Sequence, residues 1–145
     1  MRLIAVCATC LLLIAGVDAR AASAEMNAEV PAKKWKALRL RGLPKGALVA
    51  VRVETSGPIV VIFVHQKELK RFPEQPVRPI FTGAVERRLN FSVKLPAAGS
   101  YYVILDNRKG TADHDVRVQI QARPARKPAP KPPAPQRREQ DAKAI

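Results

Sequence analysis

Leu89-Asn90-Phe91-Ser92-Val93-Lys94-Leu95-Pro96-Ala97-Ala98-Gly99-Ser100-Tyr101-Tyr102-Val103-Ile104-Leu105 is the stretch that decides the fold. Its first seven residues alternate. A strand here turns Leu89, Phe91, Val93 and Leu95 to one side and Asn90, Ser92 and Lys94 to water. Pro96 to Gly99 then supplies turn chemistry, because proline presets φ and glycine accepts backbone angles that other residues avoid. Tyr101 to Leu105 is apolar without interruption, as expected of a strand covered on both faces. One half-covered strand and one fully covered strand, joined by a turn, imply stacked sheets.

The same signals recur outward in both directions. Val49, Val51 and Val53 alternate with Ala50, Arg52 and Glu54, and Val116, Val118 and Ile120 alternate with Arg117, Gln119 and Gln121. Ile59 to Val64 is apolar throughout. Trp35 to Leu40 changes its apolar phase at Ala37-Leu38, which predicts a bulge there. Val77 to Thr82 follows Pro76 and includes Pro79, so it is an edge strand at best, since proline brings no N–H to a ladder. Gly42 to Gly46, Ser56-Gly57-Pro58 and Asn107 to Gly110 read as turns, and Gln66 to Phe72 as one helical turn. Pro73, Pro76 and Pro79 share the spacing of three of a polyproline II ridge. The preferred reading is a rigid loop crossing between sheets. Together these predict an all-β chain: an antiparallel β-sandwich of about seven to eight strands, jelly-roll or Ig-like, over residues 25–121.

The ends differ from this body. Arg2, the fifteen-residue apolar run Leu3 to Val17 and the small-x-small triplet Ala22-Ser23-Ala24 have the three parts of a secretory signal. Cleavage before Glu25 is the first choice, and Ala19-Arg20-Ala21 marks a second site. As a helix, the apolar run reaches only about 22 Å, short of a bilayer core, so residues 1–24 read as a cleaved signal rather than an anchor. Cys7 and Cys10 both lie inside it and leave with it. That removes disulfides, thiol catalysis and thiolate metal sites from the mature chain. Residues 122–145, "ARPARKPAPKPPAPQRREQDAKAI", hold six of the 13 prolines and a net charge of +5. Such a segment buries too little apolar area to offset its ordering cost, and is expected to be a disordered basic tail.

The whole chain has 145 residues, 26 Lys and Arg against 12 Asp and Glu, and a formal charge of +14. Such a charge ordinarily suggests nucleic acid, but the export signal demotes that reading, and no aromatic residue lies in the tail to stack on bases. The chain is read as exported, periplasmic or secreted in a bacterium. Its partners are then an envelope protein, or an anionic envelope polymer or lipid surface, with Arg123, Arg126, Lys127, Lys131, Arg137 and Arg138 as contact residues.

Catalytic and metal chemistry is thinly represented. Asp106, Asp113, His114 and Asp115 are the weak candidates for a metal, with Asn107 adding an oxygen, because carboxylates and imidazole ligate zinc and oxygens ligate calcium. No HExxH, EF-hand spacing or Gly-x-Ser-x-Gly elbow accompanies them. His65 reads as a strand-end residue bonding the next loop. No catalytic residue and no cofactor is assigned, and the chain is read as a non-enzyme. A metal- or calcium-binding module, or a hydrolase, using residues 106–115 is the alternative.

Residues 35–72, "WKALRLRGLPKGALVAVRVETSGPIVVIFVHQKELKRF", with 91–110, "FSVKLPAAGSYYVILDNRKG", and 116–120, "VRVQI", resemble the small secreted β-sandwiches of the Golgi-dynamics (GOLD) and bacterial pre-peptidase C-terminal type. The strand–"kG" turn–strand beginning and the "aG-x-Y" entry at Ala98 to Tyr101, leading to Asp106-Asn107, carry the resemblance. It covers about residues 34–121. The mature chain lacks the cysteine pair of eukaryotic cargo receptors, so what the resemblance implies is a non-catalytic interaction module.

Overall fold

A computed structural model describes residues 22–125. In chain order the elements are β1 (Ala22–Val30), β2 (Trp35–Leu43), β3 (Leu48–Thr55), β4 (Ile59–His65), α1 (Gln66–Leu69), β5 (Phe81–Val85), β6 (Arg88–Lys94), β7 (Gly99–Asp106) and β8 (His114–Arg123). They form two antiparallel four-stranded sheets, ordered β1-β8-β3-β6 and β2-β7-β4-β5. The pairs β1·β8, β2·β7, β3·β6 and β4·β5 are those of one long ribbon folded back between β4 and β5. Wrapping that ribbon brings β8 beside β3 and β7 beside β4, which is the jelly-roll arrangement.

The alternation read from the sequence sets which way each strand faces. Val49, Val51 and Val53 of β3 and Val116, Val118 and Ile120 of β8 point between the sheets. There they meet Phe63, Val103, Leu105 and Tyr101 of the second sheet. Phe63 stacks on Tyr101 with ring centroids 5.5 Å apart, and the Tyr101 hydroxyl donates to the Ala97 carbonyl in the β6–β7 turn.

A second apolar cluster lies on the far side of the second sheet. Ile62, Val64 and Ile104 are buried there under Phe72, with Leu69 and Val77 packed alongside. The segment from α1 to Ile80 therefore roofs that sheet. This is why β4 and β7 are apolar on both faces.

Three expectations are corrected, and one strand is added to those mapped from the sequence. The Pro73, Pro76 and Pro79 loop does not cross between sheets. It joins β4 to β5, neighbours in one sheet, and folds over that sheet's outer face. The fifth strand is Phe81–Val85 and not Val77–Thr82, because the ladder begins only after the last proline. The register irregularity of β2 lies between Leu40 and Leu43, where Gly42 has φ 62°. Trp35 and Ala37 face the roof while Leu38 and Leu40 face the core. The phase change at Ala37-Leu38 thus records two covered faces and no bulge. Finally, β1 is an additional strand along the edge of the first sheet. It takes in Ala22–Ala24, read above as signal, just as β8 takes in Ala122 and Arg123, read above as tail. Residues 1–21 and 126–145 of the two expected end segments lie outside the described residues.

Because neighbours are antiparallel, β1, β3, β5 and β7 begin at the pole where β2, β4, β6 and β8 end. The chain leaves β8 at this pole, where Ala125 lies against Gly46. We call it the exit pole.

Candidate binding surface

Asp106, Asp113, His114 and Asp115 all sit at the pole opposite the exit, yet they do not converge. Asp106 takes a two-pronged contact from Arg108, Nε to Oδ1 at 2.9 Å and Nη2 to Oδ2 at 2.8 Å. The Arg108 guanidinium in turn lies 4.6 Å over the Phe72 ring. Asp113 Oδ1 accepts the Ala32 N–H at 2.8 Å. Asp115 is tied through its backbone to Ser56, whose Oγ accepts the Asp115 N–H at 2.9 Å. The His114 ring lies against Gly57, where a β-carbon would come within 2.1 Å of it. Among the described residues no three His, Cys, Asp or Glu side chains gather as a metal site would require. His65 accepts the Lys67 N–H at its Nδ1 and caps α1, the loop-bonding role expected of it.

Asp106 carries a pH prediction. Partial burial pushes its carboxyl up, but hydrogen bonds from the Arg108 side chain and backbone, with the charges of Arg108 and Lys109, outweigh burial and hold it below the ordinary aspartate value. A carboxyl depressed in the folded state contributes its full stabilisation above the unfolded pKa and loses it as pH falls through the folded one. Urea midpoints of the wild type are therefore expected to fall from about pH 4 downward, and Asp106→Asn to flatten part of that acid limb. At neutral pH the substitution should cost no more than about 1 kcal/mol, since Arg108 is partly in water. An unchanged acid limb would remove Asp106 from this role.

The outer face of the first sheet has no roof among the described residues. Register places Glu25, Gln119, Arg52 and Asn90 in one row across it, and Asn27, Arg117, Glu54 and Arg88 in the next. These side chains hold one another laterally. Arg52 Nη2 lies 2.8 Å from Glu54 Oε1, Arg88 Nε 3.2 Å from the same oxygen, and Arg117 Nε 3.3 Å from Glu25 Oε1. Gln119 Nε2 donates to Glu25 Oε2 at 3.2 Å. The hydrogen bond from Arg52, with the charges of Arg52, Arg88 and Arg117, outweighs desolvation and holds the Glu54 carboxyl below its ordinary range. The result is a flat, polar, ordered surface with both signs of charge.

Acidic residues are unevenly spread along the sandwich, whereas cations occupy both poles, with Lys33, Lys34, Arg87, Arg88, Arg108 and Lys109 at the turns away from the exit pole. Glu29, Glu54, Glu86, Asp106, Asp113 and Asp115 lie at strand ends away from the exit pole. Lys45, Lys67, Lys70, Lys94 and Arg123 are exposed at or beside the exit pole. Of the contact residues expected from sequence, only Arg123 is described, as the last residue of β8; Arg126, Lys127, Lys131, Arg137 and Arg138 lie outside the described residues. The body's share of the cationic surface went unassigned at residue level, because its parts come from four separate segments. One signal was available: no acid occurs between Glu29 and Glu54.

No protein-family model matches the chain, and no curated protein does. Among solved structures the fold is similar to PliG of Aeromonas hydrophila, a periplasmic lysozyme inhibitor of g-type lysozyme. The TM-score is 0.56 at 13% identity, over 70% of this chain and 86% of that one. Yersinia pseudotuberculosis-derived mitogen gives a TM-score of 0.43 at 12% identity, over 76% of this chain and 92% of that one. A de novo designed double-stranded β-helix gives 0.42 at 10%, over 67% and 97%. At 13% identity the likeness to the lysozyme inhibitor is one of fold.

Proposed function

We propose that the chain is an exported, non-catalytic binding module that holds a protein partner on the outer face of its first sheet. The observation that carries this is the asymmetry of the two outer faces. One is roofed with apolar side chains, whereas the other is uncovered among the described residues and its charges are held in place by their neighbours. A face ordered in advance loses less side-chain freedom on binding. Charges of both signs set register and exclude wrong partners more than they add raw affinity. The resemblance to GOLD and pre-peptidase C-terminal domains supports a non-catalytic role. The fold likeness to a periplasmic lysozyme inhibitor suggests the partner class, an enzyme that cleaves cell-wall glycan.

The test is direct. Purified residues 22–145 are expected to slow g-type lysozyme at near-stoichiometric concentration, and the double variant Arg52→Glu, Arg117→Glu to relieve the inhibition at least about tenfold. Neither inhibition nor binding would remove this partner class. Export itself is read from the mature N-terminus. Cleavage after Ala24 would strip β1 of Ala22, Ser23 and Ala24, which pair with Ala122, Gln121 and Ile120. Intact mass of the processed protein is therefore expected to place its first residue at Ala22. Glu25 would return the choice to the later site, and a retained Met1 would remove the export reading.

A further inference from the structure

The exit pole has a composition that the lysozyme reading does not use. Leu48 is 46% exposed, and among the described residues it is the one large hydrophobic side chain that stands out in water. A single exposed leucine is ordinary by itself; its surroundings are what matter. Its Cα partners across the sheet are Arg123 on β8 and Lys94 on β6, each about 5 Å away. Lys45 is exposed in the turn just before it, and Pro44, Pro96, Ala97, Ala98, Pro124 and Ala125 are exposed around it. Lys67 of α1 and Lys70 just after it add two cations on the side of the second sheet.

None of these five cations has an ion-pair partner among the described residues. The nearby acid on α1, Glu68, is already engaged. It faces Arg71 at 4.0 Å and accepts the Arg78 N–H at 3.0 Å. From this pole the chain continues into residues 126–145, whose net charge is +4.

We infer that the exit pole docks on an anionic lipid bilayer surface, with Leu48 entering the headgroup layer beside Lys45, Lys94 and Arg123 and with Lys67 and Lys70 adding charge from the side of the second sheet. A soluble polyanion would reward the cations but gives Leu48 nothing to enter. A protein partner would be served by ordered charge, as on the paired rows of the first sheet, and the cations here are unpaired among the described residues. An anionic leaflet answers both features at once: it attracts each nearby Lys or Arg, worth roughly fivefold in partition, and it offers an apolar boundary to a shallow side chain. In this geometry the sandwich stands on its exit pole and the paired rows of the first sheet remain open to a partner. The membrane setting rests on the export reading, but the vesicle and lysozyme measurements fail separately.

The experiment is co-sedimentation of residues 22–145, tail included, with vesicles of phosphatidylcholine alone or with about one third phosphatidylglycerol. Binding is expected only to the anionic vesicles and to weaken with salt. Lys94→Glu with Arg123→Glu is expected to lower partition at least about 25-fold, and Leu48→Gln about three- to fivefold. Both variants alter exposed side chains, and unchanged melting curves verify the fold. Equal binding to neutral vesicles, or full binding by both variants, overturns the proposal; the second result would assign attachment to the tail. It is also overturned if soluble polyglutamate binds as tightly as the vesicles and Leu48→Gln has no effect.

Discussion

Phe63→Ala is expected to lower the unfolding free energy by about 3–5 kcal/mol, the cost of emptying a large aromatic site in a core that closes only partly behind it. Phe63 is fully buried on β4, a central strand of the second sheet. It stacks on Tyr101 at 5.5 Å and meets Phe91 edge-on at 6.3 Å. Phe91 stacks in turn on Phe81, with centroids 3.9 Å apart. The four rings come from β4, β5, β6 and β7 and bridge both sheets, so no single neighbour can shift into the vacated space without leaving another. A domain of this size has roughly 5–15 kcal/mol in total. The loss should therefore move the melting temperature down by about 15–30 °C. Phe63→Leu keeps an apolar filling and is expected to cost under about half as much. Urea unfolding of both variants checks the pair. A cost below about 1.5 kcal/mol for alanine would mean that the ring cluster is not the centre of the core.

The two-layer architecture was legible because its cause is local. Residues 49–53, 89–95 and 116–120 alternate because one face meets the core and the other meets water. Residues 59–64 and 101–105 do not alternate because α1 and the proline loop cover their second face. The same local rule misled at Ala37-Leu38, where two covered faces imitate a bulge. β1 stayed hidden for a different reason. Its inward positions are Ala22, Ala24, Met26, Ala28 and Val30, three of them alanines with little apolar signal. Its place at the edge is fixed only by β8, nearly a hundred residues away. The candidate surfaces were less legible still. Asp106 to Asp115 lie close in sequence but are sent to different partners, whereas Leu48, Lys94 and Arg123 are distant in sequence and share one row. Sequence spacing reports neighbours along a strand and says little about neighbours across a sheet.

Asn107 shows the same principle in a form that a thermodynamic cycle can measure. It is 1% exposed, and its Nδ2 donates to the Val30 carbonyl at 3.0 Å and to the Ala112 carbonyl at 2.8 Å. Its backbone N–H bonds the Lys34 carbonyl at 2.9 Å, while its own carbonyl accepts from Lys33 at 3.1 Å and Gly110 at 3.0 Å. One residue thus ties the β1–β2 turn to the β7–β8 loop. Asn107→Ala leaves two carbonyls without their donor and is expected to cost about 2–4 kcal/mol. Gly110 has a linked role, because a β-carbon there would lie 1.8 Å from Asn107 Oδ1 and 2.8 Å from its Cγ. Gly110→Ala must therefore push the Asn107 side chain off its acceptors, and should cost nearly as much as Asn107→Ala. Once Asn107 is alanine, the obstruction is gone and the same change at Gly110 should be close to neutral. The double variant is accordingly expected to fall short of the sum of the singles by at least about 1 kcal/mol. Urea midpoints of the four proteins decide it: additive losses would mean that Gly110 is constrained by its own backbone and not by the amide it faces.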